Sequence, residues 1–240
     1  MKRLILLATL LTAPPTASTA EDAWRTILDA SSPEPKGWTH VGAGRFVLED
    51  GAWKTECSPD GLGLFVYQGE KLGDCQIKVV YRTEDERDNG GVYIRIAADP
   101  EGKLTAKSTG DGERDSEAEI GPWWGVHNGY EVQISEGGDP AHRTGAIYSL
   151  AEGSELPSKA DDGWRTMIIT LDGPKVKVEV DGKAISEFDS SKPGVAPRKQ
   201  WYEPKREPVR PEAGFIGLQN HDPSDVVYYK EVSVRPLPKR

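Results

Sequence analysis

Two polar side chains alternate with apolar ones in the segment GYEVQIS, residues 129–135. In a β-strand, successive side chains point to opposite faces, so Glu131 and Gln133 share one face while Val132 and Ile134 share the other. A carboxylate and an amide can bind hydroxyl groups, polarise an oxygen and move a proton. The alternation alone is compatible with a solvated outer face or with a binding cleft, so other segments must decide between them.

Two further segments repeat this arrangement. In GGVYIRI, Tyr93 and Arg95 lie on the face opposite the apolar residues, and in GFIGLQNHD the same holds for Gln219 and His221. The alternative is a wet face on which Arg95 and Glu131 form an ordinary cross-strand ion pair. If these strands lie near one another in one sheet, a single face carries Arg95, Glu131, Gln133, Gln219 and His221.

Aromatic residues stand near the ends of two long polar segments, 98–128 and 189–212. Loops of this length are uncommon in compact domains unless they are functional or disordered. Trp123 and Trp124 precede the strand of Glu131, and indole faces stack on flat apolar surfaces such as those of sugar rings. We therefore expect both indoles to bind substrate, with burial beneath the long segment as the alternative.

Short β-like segments separated by Gly, Pro, Asp and Asn predict an all-β sandwich or barrel. Asp172-Gly173 and Asp181-Gly182 indicate hairpin turns on either side of KVKVEV, whose valines would face the core. Only residues 21–30 predict a short helix. The β-like segments are RFVLE, LGLFVY, CQIKVVYR, GVYIRIA, YEVQIS, TGAIYSL, WRTMIITL, KVKVEV, AISEF, GFIGLQN and VVYYKEVSVR.

Residues 1–20 predict a secretory signal peptide. Lys2 and Arg3 form a basic start, residues 4–11 form an apolar run too short to cross a bilayer, and Ala20 ends a small-residue cleavage pattern. Cleavage would leave residues 21–240 in the periplasm or outside the cell. The net charge would change from −9 to −11, since two basic residues and no acidic one are removed. This acidic chain is not expected to bind nucleic acid, and no later apolar run predicts membrane insertion.

The chain has two cysteines, Cys57 and Cys75. In an exported protein, a single pair of cysteines is most simply one disulfide. Their spacing is not that of a C-x-x-C motif, which disfavours a metal or redox role. The sequence therefore predicts a disulfide between them.

Several segments together resemble one known family, the 3-keto-disaccharide hydrolase domain. The segments GGVYIR, GYEVQI, TGAIY, GWRTMIITLDG and GFIGLQNHDPSDVVYYKEVSVRPL occur in the family's order, after an opening that resembles GWTHVGAGRFVLEDGAWKTE. The resemblance covers about residues 36–237. It implies a concanavalin A-like jelly-roll sandwich of two antiparallel sheets, formed here by one domain over residues 21–240. It also implies exported enzymes that cleave glycosides whose sugar is oxidised at C3.

The resemblance carries functional roles to four matching positions, Arg95, Glu131, Gln133 and His221. A ketone at C3 acidifies the hydrogen at C2, so a base can remove it and the resulting enolate can expel the oxygen at C1. We expect Glu131 or His221 to act as base or acid, and Arg95 to stabilise the enolate. The predicted substrate-binding residues are Gln133, Gln219, Trp123, Trp124 and Tyr148. The sequence departs from the family pattern at Glu136, at the LQNHD segment and in the length of 98–128, which bears on substrate choice more than on fold.

Three alternatives remain open from the sequence. Glu131, Gln133 and His221 could hold a divalent metal, since carboxylate, amide oxygen and imidazole are plausible ligands. The segment E-x-Q-x-x-E, from Glu131 to Glu136, resembles the E-x-D-x-x-E pattern of laminarinase-type glucanases, which implies retaining hydrolysis by two carboxylates. A carbohydrate-binding, lectin-like module would use the same cleft without turnover.

Overall fold

Two facing antiparallel β-sheets form the body of the protein in a computed structural model, which describes residues 23–192 and 195–238. The larger sheet has the spatial order β11 (Lys183–Asp189), β10 (Lys175–Val180), β9 (Arg165–Asp172), β6 (Cys75–Thr83), β13 (Val227–Pro236), β4 (Ala52–Glu56) and β3 (Arg45–Glu49), and β1 (Arg25–Leu28) also pairs with β13. The smaller sheet has the order β2 (Trp38–Gly42), β5 (Gly63–Leu72), β12 (Gly214–Asn220), β7 (Gly90–Ile96) and β8 (Tyr130–Ile134). The predicted all-β sandwich of two antiparallel sheets is confirmed.

Alternating burial along the strands builds the core between the sheets. In β10, Val176, Val178 and Val180 are fully buried, while Lys177 and Glu179 between them are exposed. The turns at residues 173 and 182 join β10 to β9 and β11 as the sequence predicts. From the smaller sheet, Val132 and Ile216 enter the same core. Burial of such side chains contributes roughly 1.5–3 kcal/mol each.

A second apolar cluster covers part of the other face of the smaller sheet. Residues 98–128 fold over this face and contain two short helices, α1 (Gly112–Ala118) and α2 (Pro122–Asn128). The side chain of Asp111 caps α1 by accepting from the backbone N–H of Arg114, and Pro122 opens α2, where no backbone donor is needed. The cluster leaves the rest of this face open. Its members are Val41, Leu64, Val66, Tyr93, Ile96, Leu104, Trp124 and Val126.

Two local predictions are wrong. Residues 21–30 were expected to include a helix, but residues 25–28 form β1, because pairing with β13 buries Leu28 in the core and an isolated short helix is marginal in water. The second concerns the segment TGAIYSL, which forms none of the strands of the two sheets. It instead runs beside β8 through single hydrogen bonds, such as that from the Tyr148 N–H to the Glu131 carbonyl at 2.9 Å.

The predicted disulfide is also wrong, since both cysteines are free thiols. Cys75 pairs with Pro236 at one end of β13, whereas the Cys57 thiol donates to the Asp225 carbonyl beyond the other end. Nine residues of strand separate these ends, which corresponds to roughly 30 Å. A disulfide requires the two Cα atoms to lie within about 7 Å.

The predicted signal peptide, residues 1–20, lies outside the described residues. Within those residues, no helix is long and apolar enough to span a bilayer.

Candidate functional site

A cleft of about 320 Å³ lies on the face of the smaller sheet that points away from the core. We call it the polar cleft. Its apolar and aromatic walls come from Leu62, Trp123, Val126, Tyr148 and Tyr202. Strands β8 and β12 bring Glu131, Gln133 and Gln219 together here, because each strand places its polar side chains opposite its core side chains, and His221 directly follows β12. The polar lining is Asn89, Tyr93, Glu131, Gln133, Gln219 and His221.

The carboxylate of Glu131 lies at the floor of this cleft and ends a chain of hydrogen bonds. The Tyr93 hydroxyl donates to its Oε2 at 2.9 Å, and Nε2 of Gln219 donates to the Tyr93 hydroxyl at 3.1 Å. Gly91 allows the close approach to β7, since a Cβ there would lie 2.4 Å from Oε1 of Glu131. The Oε1 atom of Gln219 is buried without a partner among the described residues, so it is an acceptor that a ligand hydroxyl can satisfy.

Burial dominates the acidity of Glu131, which is only 7% exposed. It raises the pKa of the carboxyl to about 7, against the opposing effects of the Tyr93 hydrogen bond and the His221 charge. A carboxyl with a pKa near neutrality exchanges its proton readily at physiological pH. Glu131 therefore suits general acid or base chemistry.

The imidazole of His221 is held from both sides. Nδ1 lies 2.8 Å from Oδ2 of Asp225, and Nε2 lies 3.2 Å from Nδ2 of Asn89. Asp225 also accepts from the backbone N–H groups of Asn89 and Asp222, both at 3.1 Å. Burial lowers the pKa of His221, but the Asp225 hydrogen bond and the charges of Asp222 and Asp225 outweigh it, so the net pKa is raised. His221 can thus carry a proton near neutral pH.

Two further groups present hydrogen-bond donors to the polar cleft. Oε1 of Gln133 accepts from the Ile134 N–H at 3.0 Å, which turns its amino group toward the cleft. The Tyr148 hydroxyl makes no hydrogen bond within the described part of the chain. Both groups can donate to a ligand oxygen.

Arg95 does not reach the polar cleft, so its predicted place on the shared face is wrong. Phe215 pairs with Ile96, and Gly217 pairs with Tyr93. Between these two pairs β7 therefore advances by three residues while β12 advances by two. This bulge places Arg95 in a left-handed conformation, with φ of 52°, and turns Ile96 to the cleft face instead. The guanidinium is buried and donates to the Gly173 carbonyl of the larger sheet.

Trp124 and Glu136 also lie outside the polar cleft. The indole of Trp124 is buried in the second apolar cluster and donates to the Ala97 carbonyl at 3.0 Å, whereas Trp123 lines the cleft. Glu136 forms ion pairs with Arg165 at 3.0 Å and Lys159 at 2.9 Å. It lies in the turn that follows β8, two residues beyond the end of the strand that carries Glu131.

Four residues of the site were missed from the sequence. Tyr93 was detectable, since the same alternation that selected Arg95 places it on the cleft face. Tyr202 is one of the aromatic residues of the segment 189–212, for which the sequence predicted no role. Asn89 and Asp225 precede strands and follow no periodic pattern, so only their contacts with His221 reveal them.

The three predicted metal ligands, Glu131, Gln133 and His221, all line the polar cleft. Oε1 of Gln133 accepts one hydrogen bond, from the Ile134 N–H. Among the described residues, His221, Asp222 and Asp225 do place potential ligand atoms within 4.8 Å of one another. The hydrogen bond between His221 and Asp225 already satisfies two of those atoms.

Comparison with known proteins agrees with this architecture. Residues 23–235 match the 3-keto-alpha-glucoside-1,2-lyase-like domain family. Among solved structures, a Parabacteroides distasonis ATCC 8503 protein provisionally assigned as a glycosyl hydrolase is 18% identical, with a TM-score of 0.58 over 90% of this chain and 100% of that one. A Bacillus subtilis protein of unknown function with a galectin-like fold is 16% identical, with a TM-score of 0.55 over 91% and 100%.

The carbohydrate recognition domain of Emp47p is 14% identical, with a TM-score of 0.51 over 92% of this chain and 99% of that one. At these identities, the similarities establish the fold alone. Among curated proteins, none matches this sequence closely enough to count as a relative.

Proposed function

The chain belongs to the 3-keto-alpha-glucoside-1,2-lyase-like family, and we propose that it cleaves glycosides of 3-keto sugars by elimination across C1 and C2. The observation that carries this proposal is the buried Glu131 carboxyl, which has a pKa of about 7 and faces His221 in a small polar cleft. An elimination requires one group that accepts a proton from carbon and one group that donates a proton to the leaving oxygen.

The number of carboxylates in the polar cleft favours elimination over direct hydrolysis. Retaining glycosidases place two carboxyl groups about 5–5.5 Å apart, and inverting ones about 6.5–9.5 Å apart. Glu131 is the one acidic side chain among the described residues that line this cleft. Glu136, the second carboxylate of the alternative mechanism, is committed to Arg165 and Lys159.

In the proposed reaction, the ionised Glu131 removes the proton from C2 of the keto sugar. The C–H electrons form the enolate of the C3 ketone. Collapse of the enolate restores the ketone, forms the C1–C2 double bond and breaks the bond from C1 to the leaving oxygen. His221 gives its proton to that oxygen. Addition of water across the double bond then completes a net hydrolysis, whereas release of the unsaturated sugar makes the reaction a lyase.

The remaining polar groups suit the charges that develop. Arg95 was expected to stabilise the enolate, but its burial in the bulge leaves this role to the donors of the cleft. The Gln133 amino group and the Tyr148 hydroxyl support stabilisation of the enolate oxygen. The unpartnered Oε1 of Gln219 supports binding of a sugar hydroxyl.

The test compares a 3-keto-glucoside with the same glucoside unoxidised, each with and without a chelator. We expect aglycone release from the keto compound alone, and solvent deuterium incorporated at C2 of recovered substrate. Glu131→Gln should lose both signals. Release from the unoxidised glucoside would contradict the proposal, and loss of activity with the chelator would show that the reaction needs a bound metal.

A second candidate function is sugar binding without turnover, as in a lectin-like module. It is favoured by the likeness of the fold to the carbohydrate recognition domain of Emp47p. This function predicts that the protein binds a glycoside and that the affinity is retained in both Glu131→Gln and His221→Ala.

We also propose that the protein acts in the periplasm or outside the cell, on the basis of the signal sequence in residues 1–20. Sequencing the N-terminus of exported protein tests this. A start at residue 21 is expected, and a retained Met1 in the cytoplasm would contradict it.

A further inference from the structure

A second cavity of about 460 Å³ opens directly beside the polar cleft. We call it the aromatic cavity. The two share four lining residues, Leu62, Trp123, Tyr202 and His221. Together they fall within the roughly 300–1,000 Å³ of small-molecule sites, so a ligand with two rings can extend from one into the other. His221 stands at their boundary.

Three aromatic rings form one wall of the aromatic cavity. The ring centroids of Trp123 and Trp201 are 5.3 Å apart, and those of Trp201 and Tyr202 are 5.5 Å apart in an edge-to-face arrangement. Tyr202 remains 44% exposed, although it is a large aromatic side chain. Exposed, clustered rings of this kind suit stacking on a flat ligand surface.

Hydrogen bonds between the two long segments hold this wall in place. Ser116 of α1 donates from Oγ to the Trp201 carbonyl at 3.0 Å, and its Oγ lies 2.8 Å from Nε2 of His127. Nδ1 of His127 in turn accepts from the backbone N–H of Lys205 at 3.2 Å. Ser116 and His127 are almost completely buried. The wall is therefore ordered before any ligand binds, which reduces the entropic cost of binding.

The charges around the aromatic cavity select against anions. Asp60 and Asp222 are exposed acids in its lining, and no lysine or arginine of the described residues lines either cavity. The carboxylate of Asp115 is occupied by hydrogen bonds from Ser108 and Thr109. An occupant with a phosphate or carboxylate would meet repulsion from Asp60 and Asp222. Among the described lining residues, only His221 can carry a compensating positive charge, and its Nδ1 already lies 2.8 Å from the Asp225 carboxylate.

We infer that the aromatic cavity binds the leaving group of the glycoside, an uncharged sugar or aromatic ring attached at C1, while the polar cleft holds the keto sugar. This inference rests on the proposed function. It places His221 beside the oxygen that joins the two rings, which is the atom that needs a proton when the bond breaks. It also means that substrate choice depends on Trp201, which lines the aromatic cavity but not the polar cleft.

The test uses 3-keto-glucosides that differ in the leaving group: methyl, phenyl and a second glucose. Trp201→Ala should lower kcat/KM about tenfold for the phenyl and disaccharide substrates, chiefly through KM, and change the methyl substrate less than about twofold. Trp201→Phe should restore most of the loss. Trp164→Ala is the matched control, since that indole packs against Arg82 and Lys230 away from both cavities. Equal losses for all three substrates, or no loss for any, would overturn the inference.

A binding experiment separates this inference from the proposed function. Calorimetry with an unoxidised disaccharide and with its methyl monosaccharide needs no turnover. We expect Trp201→Ala to weaken the disaccharide about tenfold and to leave the monosaccharide unchanged. If the protein cleaves no keto glycoside but shows this pattern, the proposed function fails, and ring binding by the aromatic cavity is supported. If it cleaves keto glycosides but shows no such pattern, only ring binding by the aromatic cavity is refuted.

Discussion

Nδ1 of the His221 imidazole lies 2.8 Å from Oδ2 of Asp225, a carboxylate that is 8% exposed. The other oxygen of Asp225 accepts from the Asn89 N–H, so the carboxylate is fixed on both sides. This contact orients the ring, with Nε2 toward Asn89 at the edge of the polar cleft. Oδ1 of that Asn89 amide has no partner among the described residues. If His221 is protonated, rotation of the amide would offer this oxygen to the new N–H.

Asp225→Asn tests Asp225 as a positioning residue. The net pKa of His221 is raised by Asp225 against the effect of burial, so removing the charge should lower that pKa. If His221 is the acid, activity falls as pH rises through its pKa, and this alkaline limb should move to lower pH. We expect a loss of about tenfold at pH 8 and a much smaller loss at pH 6.

Asp222→Asn is the matched control for that pH profile. Asp222 lies 3.5 Å from the same nitrogen, but its side chain is 72% exposed and therefore screened by water. Its profile should shift much less than that of Asp225→Asn. A uniform loss of activity at every pH in Asp225→Asn would indicate a purely structural role.

Glu131→Gln should stabilise the fold at alkaline pH while abolishing activity. The pKa of this carboxyl is raised from 4.5 to about 7 by burial, so the folded protein binds the proton more tightly than the unfolded chain does. The free energy of unfolding therefore falls as pH rises from about 4.5 to 7. Removing the charge should recover roughly 3 kcal/mol at pH 8 and little at pH 4.

Urea unfolding of both proteins across this pH range measures the effect. The rate should drop by about 10²–10⁴, as for loss of a general base. A variant that unfolds with the same pH dependence as the wild type would refute the assignment of the raised pKa to Glu131.

Glu136→Gln should show the opposite combination, with lower stability and retained activity. Arg165 is 3% exposed in its side chain and pairs with Glu136 and with Asp181 at 2.7 Å. Losing one of two buried partners should cost about 2 kcal/mol of unfolding free energy at pH 7. The pKa of Glu136 is lowered by Arg165 and Lys159 against the effect of burial, so its contribution is present above the unfolded pKa and lost as pH falls.

Thermal unfolding and turnover of the same sample separate the two effects of Glu136→Gln. Activity within about threefold of the wild type is expected, because this carboxylate lies outside the polar cleft. A loss as large as that of Glu131→Gln would support retaining hydrolysis by the pair.

The free thiols give a prediction that needs no substrate. Under denaturing conditions without reductant, an alkylating reagent should label both Cys57 and Cys75. In the folded protein, Cys75 should react slowly, because burial raises the pKa of its thiol to about 12. Mass spectrometry reads both outcomes. A chain that takes no label until reduced would instead contain the disulfide that the structure argues against.

Strand alternation was enough to place Glu131, Gln133 and Gln219 on one face, because a period of two is a property of the extended backbone itself. The same rule failed at Arg95, where one extra residue in β7 reverses the faces of the residues that follow. The bulge depends on how β7 pairs with β12, and no residue of GGVYIRI indicates it. The disulfide failed similarly, since only strand pairing shows that the cysteines stand at opposite ends of β13.

The sequence by itself determined the all-β class, the hairpins around β10, the family and the polar identity of the cleft. Only the tertiary structure decided that Trp123 lines the cleft while Trp124 is buried, and that Trp201 joins Trp123 across 78 residues of chain. Side-chain direction along a strand follows from local backbone geometry. Contacts between distant segments follow from which surfaces pack together, and that choice is made by the whole molecule rather than by any one segment.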